Sequence, residues 1–391
     1  MKIVDIRDIA VRLQGDVANA VVSFAEHDVS LIAVVSDVIR AGRPVVGFAF
    51  NSIGRFAQTG ILRERVIPRL RVAAASDLLD AEGRRFDPAK IAAVAMRNEK
   101  PGGHGDRAGA VAALELAIWD LNAKLAGEPA CQTIARAFGR SAPAATVHAY
   151  AAGGYYYPGD SANGLRNEFA AYRDLGFTAF KMKIGGAPLA QDLARIEAAL
   201  ALAGDGGALA VDANGRFDLD TALAYAQAIA PYRLRWYEEI GDPLDFDLNR
   251  RLAERYEGAI ATGENLFSAA DSRNLLLFGG MRPGLDLFQM DAGLSYGLGE
   301  FVRMIALMEQ HGFDRRQAVP HGGHLINLHI VLGLGLGGCE CYPGVFQPFG
   351  GYPAVCMLGA GEVRAADAPG FGLEQKLELR PFLAELCPQA F

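Results

Sequence analysis

Four short runs decide the fold: Phe180-Lys181-Met182-Lys183, Val211-Asp212-Ala213-Asn214, Tyr237-Glu238-Glu239 and Thr262-Gly263-Glu264-Asn265. Each sets an acid or a base at the end of a short apolar stretch. The carboxylates at 212, 238 and 264 recur every 26 residues. One strand, one helix and two loops use about that many residues in a (β/α)8 barrel, where reactive groups project from the C-terminal strand ends. The spacing predicts three adjacent strand ends aiming one carboxylate each at a common point, with two lysines on the strand before them.

Outward from these runs the same unit repeats. Strands are predicted at 147–151, 179–184, 208–212, 235–239, 259–264, 286–291, 317–321 and 338–341, with helical patterning between them at 165–175, 189–203, 220–230, 244–256, 269–278 and 301–311. Eight strands alternating with helices indicate a closed parallel barrel rather than an open sheet. Ahead of it, alternating β-branched residues predict strands at 2–7, 29–37 and 45–50, the last running into the turn Asn51-Ser52-Ile53-Gly54-Arg55. Helices follow from about 61 and at 88–97, then a Pro/Gly loop carrying Lys100 and His104, then a long helix at 108–125. The expected division is an α+β capping domain at 1–125, a (β/α) barrel at 126–345, and a Gly/Pro-rich segment at 346–391 that returns to the cap.

Composition narrows the function. The chain has 391 residues, 51% hydrophobic and 21% charged, enough for a large core. A net charge of -7 gives no basic face for nucleic acid. Met1-Lys2 leads straight into a strand pattern rather than a signal segment, and no apolar run approaches a membrane span. The five cysteines are an odd number without a CxxC pair, which points to a reduced, cytoplasmic protein.

Asp212, Glu238 and Glu264 are hard oxygen donors that would repel one another if left alone. A divalent cation resolves the repulsion, and three carboxylates with water or substrate oxygens suit one Mg²⁺ per site. Asn214 and Asn265 lie just behind two of these acids and can orient a ligand or the substrate. Lys181 and Lys183 leave one face of their strand, so each should lower the pKa of the other and free one as a base. Lys183, nearer the strand end, is the better base, and Lys181 an ion-pair partner of the acids. Asp291 and His321 end the next two strands and form a carboxylate–imidazolium pair, a proton donor. His321 and His324 have zinc-like spacing but no third His or Cys partner. Glu340 on the last strand is either a substrate contact, if protonated, or a buried ion pair.

These runs resemble the enolase superfamily, in its mandelate-racemase-like branch. The likeness rests on Lys181-Met182-Lys183, Asp212-Ala213-Asn214, Glu238-Glu239, Gly263-Glu264-Asn265 and the Asp291/His321 pair, with Trp119-Asp120 on the helix before the barrel. It implies a modified (β/α)7β barrel under a capping domain, Mg²⁺, a small-molecule carboxylate substrate, and assembly into homo-oligomers. Asn19, Phe50-Asn51-Ser52, the run Asn98 to Gly105, Ala151 to Tyr157 and Phe346 to Gly351 further resemble the group that dehydrates tartrate. That likeness implies substrate contacts from Asn51, Tyr156, Asn214 and Glu340, with Lys100 reaching from the cap to the second carboxylate of a hydroxy-diacid. In one departure from the superfamily, Glu239 is followed by Ile-Gly-Asp-Pro rather than directly by Pro. Other acid-sugar dehydratases and racemases of the same superfamily are the alternatives, along with a barrel that binds metal without catalysis.

Overall fold

The computed structural model of the chain describes residues 1–15, 17–157 and 161–391, with the side chains of residues 161 and 162 excepted. Two sheets organise it. The first is an antiparallel sheet in the order β1 (Ile3–Arg12), β2 (Asp28–Arg40), β3 (Arg43–Phe50). Its strands run longer than the alternation alone predicts, and residues 29–35 of β2 are buried without a break.

The helix Asp106–Ala126 packs on this sheet so closely that β3 needs a residue with no side chain: a Cβ at Gly47 would overlap the Ala117 carbonyl oxygen. Asp120 on the same helix fastens three elements. Its carboxylate accepts the Phe48 N–H at 2.8 Å and the Phe371 N–H at 2.6 Å, and pairs with Lys124 at 2.6 Å. The C-terminal segment thus returns to the N-terminal sheet, where Arg7 also donates to the Leu386 carbonyl at 3.3 Å.

The second sheet is the barrel. β4 (Val147–Gly153), β5 (Phe180–Lys183), β6 (Leu209–Asp212), β7 (Tyr237–Glu238), β8 (Ile260–Thr262) and β9 (Leu287–Phe288) pair in parallel in chain order. β10 (Cys339–Cys341) closes the ring by pairing with β4. The seventh position, expected as a strand over 317–321, is a single bridge from Ala318 to Phe288. A 3-10 turn over Arg315–Gln317 precedes it, and Pro320 has no N–H to extend the ladder. Among the described residues seven helices alternate with the strands, including Leu325–Leu334, which the sequence pattern does not predict. That helix is buried along its whole length, so its residues show no amphipathic period. In a short hairpin, β11 (Met357–Gly359) pairs with β12 (Glu362–Val363), and β12 pairs antiparallel with the start of β4 at Val147 and His148. The five cysteines are free and buried. Among the described residues no helix is long and apolar enough to cross a membrane.

Candidate active site

Strand register builds the floor of the site. Lys183 lies opposite Asp212, and Asp212 opposite Glu238. Period-two alternation turns Lys181, Lys183, Asp212, Trp236 and Glu238 to the barrel interior. Lys183 Nζ is 2.5 Å from Asp212 Oδ2, and Lys181 Nζ is 2.5 Å from Glu238 Oε1 and 2.7 Å from Glu340 Oε1. Trp236 Nε1 donates to the other Glu238 oxygen at 2.7 Å. Glu264 stands off this level: Glu238 lies opposite Ala261, so Glu264 comes three residues later, past the end of β8. Equal spacing in sequence therefore does not place the three carboxylates in one register.

Above the floor is a cavity of about 310 Å³, lined by Lys183, Asn214, Glu239, Glu264 and His321 from the barrel and by the loops carrying Asn19 and Arg55 from the N-terminal module. Glu239 lines this cavity and Glu238 does not. The backbone explains the exchange, because the chain leaves the strand at Glu239 with φ +43°, and strand alternation stops there. Asn214 has the same left-handed conformation, φ +49°, which costs an Asn little and a Glu more. Two such residues directly behind two acids mark a backbone held in place for its side chains.

Electrostatics separate these groups. Burial alone would lower both lysines, but their carboxylate partners outweigh it and hold each well above the ordinary ammonium value. The expected mutual depression of Lys181 and Lys183 is thus overridden by Asp212, Glu238 and Glu340. Burial would raise Asp212, yet Lys183 and Lys181 keep it well below the usual carboxylate range. Burial and then Asp212 push Glu238 up to about 8. Burial, Glu264 and Asp212 hold Glu239 well above the ordinary carboxylate value.

The residues fit a hard cation. The donors are all oxygen, the rim carboxylates repel one another, and Asn214 Oδ1 is buried beside them without a hydrogen-bond partner among the described residues. Among the described residues no three acidic, His or Cys side chains form a complete cage. Mg²⁺ does not require one, since it commonly keeps waters and substrate oxygens beside one or two carboxylates.

His321 Nδ1 donates to Asp291 Oδ2, 3.2 Å away, and its Nε2 is 3.9 Å from Glu264 Oε2. Burial would lower the imidazole, but Glu264 and the Asp291 hydrogen bond raise it to about 10, so it is an imidazolium at neutral pH. Asp291 is itself fixed by the Gly293 N–H and by Asn327. The loop closes over them only because residue 322 is glycine: at φ +123°, a Cβ would come within 2.8 Å of Asp291 Oδ2 and 2.7 Å of Ser52 Oγ. His324 is no metal ligand partner to His321. It is buried, 3.0 Å from Ser52 Oγ, and pushed down to about 4 by burial.

Four expected substrate contacts lie elsewhere. Asn51 is buried under its own loop, accepting from the Ser30 N–H at 2.7 Å. Tyr156 donates to Asp192 at 2.8 Å, while its neighbour Tyr155 lines the cavity, because Gly154 at φ +60° changes the phase after β4. Glu340 is the buried ion pair with Lys181, its carboxyl held below the ordinary value. Lys100 is exposed on a loop fastened by Arg107, which donates to the Lys100 and Gly102 carbonyls, and it does not reach the cavity. Arg55 lines the cavity, although in the sequence it only ends a turn.

The sequence profile of the family described as "Enolase C-terminal domain-like" matches residues 164–379, more than half of the chain. L-talarate/galactarate dehydratase of Salmonella typhimurium strain LT2 is 30% identical over 221 residues, which are 56% of this chain and 52% of that protein. 3,6-Anhydro-alpha-L-galactonate cycloisomerase of Streptomyces coelicolor is 32% identical over 230 residues, 59% of each chain. The chain therefore spans little more than half the length of these curated relatives. In fold, it superposes on L-talarate dehydratase from Polaromonas sp. JS666 complexed with Mg and L-glucarate, with TM-score 0.75 and 23% identity, covering 94% of this chain and 92% of that one. The chain belongs to the Enolase C-terminal domain-like family, in the mandelate-racemase-like branch of the enolase superfamily.

Proposed function

We propose that the protein is a Mg²⁺-dependent dehydratase of a small hydroxy-diacid, with D-tartrate, giving oxaloacetate, as the first substrate to test. The observation that carries the reading is the cavity wall itself. A lysine and an Asp-paired imidazolium, on barrel positions separated by β10 and β4, open onto one cavity with the carboxylates of Glu239 and Glu264. The match to a dehydratase of talarate and galactarate supports the reaction class.

Asp212, Glu264 and the Glu238–Glu239 pair would hold the cation, with Asn214 Oδ1 as a neutral donor. When bound, Mg²⁺ supplies positive charge that competes with the lysines for these carboxylates and offsets negative charge building on the substrate carboxylate. Lys183 Nζ, once neutral, takes the proton from C2. The C–H electron pair becomes the C2–C3 double bond as the C3–O bond breaks. His321 Nε2 gives its proton to the departing hydroxyl, which leaves as water. Asp291 stabilises the imidazolium before that transfer and fixes the ring orientation. The enol product tautomerises to the keto acid by taking a proton at C3 and losing its hydroxyl proton, while Lys183 gives up its proton and His321 takes one back, which restores both groups.

Purified protein with Mg²⁺ should be assayed for keto-acid formation from D-, L- and meso-tartrate and from six-carbon acid sugars. Oxaloacetate from D-tartrate alone supports the proposal in full. Turnover of a six-carbon acid instead moves the substrate class, a second reading favoured by the talarate/galactarate relative. Solvent deuterium entering a substrate without net dehydration would replace dehydration by racemisation. Chelation should abolish activity and Mg²⁺ should restore it; activity unaffected by chelation would remove the cation from the proposal.

A further inference from the structure

Most charged groups on the barrel side of the cavity are already engaged with an opposite charge: Lys183 with Asp212, and His321 with Asp291 and Glu264. Arg55 is different. It lines the cavity, half-buried, and forms no ion pair among the described residues. Its one side-chain hydrogen bond runs from Nη2 to Asn265 Oδ1 at 2.5 Å. A guanidinium has five N–H donors in a planar fork matched to a carboxylate. Most of that capacity is unspent here.

The position is prepared as well as open. The Arg55 carbonyl accepts from Asn51 Nδ2 at 3.4 Å, and the guanidinium carbon sits 5.2 Å from the centre of the Phe267 ring. Buried Asn51 thus supports the loop from below, and Phe267 gives the cation a face to rest on. The neighbouring Gly54 lies over His321: a Cβ there would be 4.0 Å from Cε1. Asn265, the hydrogen-bond partner of Arg55, donates in turn to Glu239 Oε1 at 2.7 Å. One amide therefore bridges the guanidinium of the N-terminal module and a carboxylate of the barrel rim.

We propose that Arg55 binds the distal carboxylate of a dicarboxylate substrate, the role expected of Lys100, and so makes the site selective for short diacids over monoacids. The inference rests on the hydroxy-acid reading of the site and deepens it. A substrate with its reacting end among Lys183 and His321 would present its far end to the loop above His321. There Arg55 offers the fork that Lys100, exposed on its own loop, does not bring to the cavity.

Calorimetric titration of the full chain with Mg²⁺, carrying Lys183→Ala in every protein titrated so that no ligand turns over, tests this with tartrate and the four-carbon monoacid threonate, which ends in a hydroxymethyl group. Wild type here means Arg55 retained, and the deuterium exchange below uses Lys183 intact. The wild type should bind the diacid more tightly. Arg55→Gln should weaken the diacid by about tenfold to a hundredfold, the scale of a charge-assisted hydrogen bond. It should leave threonate unchanged, and Arg55→Lys should recover part of the loss. Equal weakening of both acids, or no change in either, would overturn the proposal, as would a wild type that binds no dicarboxylate. Deuterium exchange at C2 separates the two readings: diacid binding that depends on Arg55 without exchange or keto acid removes the dehydratase reading and keeps Arg55.

Discussion

On the floor of the site Lys181 is bracketed by Glu238 at 2.5 Å and Glu340 at 2.7 Å, and the second oxygen of each acid is taken by Trp236 or the Gly322 N–H. At the rim, a layer above, Glu239 and Glu264 share one wall, Asn214 Oδ1 has no partner, and Arg55 has no counter-ion among the described residues. Both layers set glutamates beside a cation. The floor pairs its charges with one another around Lys181, whereas the rim keeps more of its bonding capacity for something that enters from outside. Lys183 belongs to both, tied to Asp212 below and open to the cavity above.

The sharpest way to break this division is to remove one lysine from each layer. Lys183→Ala should lower kcat by about 10²–10⁴-fold, the span of a lost general base. Diacid binding should persist, because Arg55 and the carboxylates remain. A variant that keeps most of its kcat would remove Lys183 from the chemistry. Lys181→Met should act first on stability, since it strands two buried carboxylates at a cost of about 3–5 kcal/mol. Denaturant unfolding would measure it, and an unchanged midpoint would show that the floor is not the structural layer described.

Much of this site was legible because strand ends write themselves into sequence. An apolar run that stops at an acid places Asp212, Glu238 and Glu264 near the barrel mouth, and the two-residue spacing sets Lys181 and Lys183 on one face. What the sequence could not show depends on backbone dihedrals and packing. Glu239 reaches the cavity by a left-handed turn at a non-glycine residue, and Tyr155 displaces Tyr156 through the phase change at Gly154. The helix Leu325–Leu334 has no polar stripe to reveal its period, because it is buried on every side. Lys100 and Arg55 are each a cation on a loop of the N-terminal module, one after a helix and one after a strand. Only the packing of the N-terminal module on the barrel decides which one meets the cavity.

The histidines sharpen the comparison through pH. Burial holds His324 at about 4 and His329 at about 3, below the ordinary value of 6.5. Each is neutral in the folded chain, so the unfolded chain takes up protons first as the pH falls. Their contribution is complete above 6.5 and is lost as the pH drops towards 4. For His324 alone that loss is about 3 kcal/mol, at about 1.4 kcal/mol per unit. Unfolding free energies measured between pH 7 and 4 should fall accordingly, and His329→Leu, which removes the titrating ring together with the Nδ1 that accepts the Cys131 N–H at 3.2 Å, should lower stability at pH 7 and flatten the slope. A slope unchanged by that variant would assign the acid sensitivity to other groups.

The smallest expected effect separates two adjacent tyrosines. Tyr156 accepts the Gly186 N–H at 2.9 Å, donates to Asp192 at 2.8 Å, and lies under the Arg195 guanidinium at 4.1 Å, away from the cavity. Tyr156→Phe removes the hydroxyl and should cost about 1 kcal/mol of stability, the net worth of an ordinary hydrogen bond. It should leave kcat and KM for the diacid as they were. Tyr155 is in the cavity wall, its ring centre 5.3 Å from Lys183 Nζ, so Tyr155→Leu removes a face that contacts both the base and the bound ligand. Its effect should appear in kcat and KM. The reverse pattern, kinetics changed at 156 and untouched at 155, would mean that the loop after β4 turns over when substrate binds. The boundary between self-satisfied and open groups would then shift by one residue there.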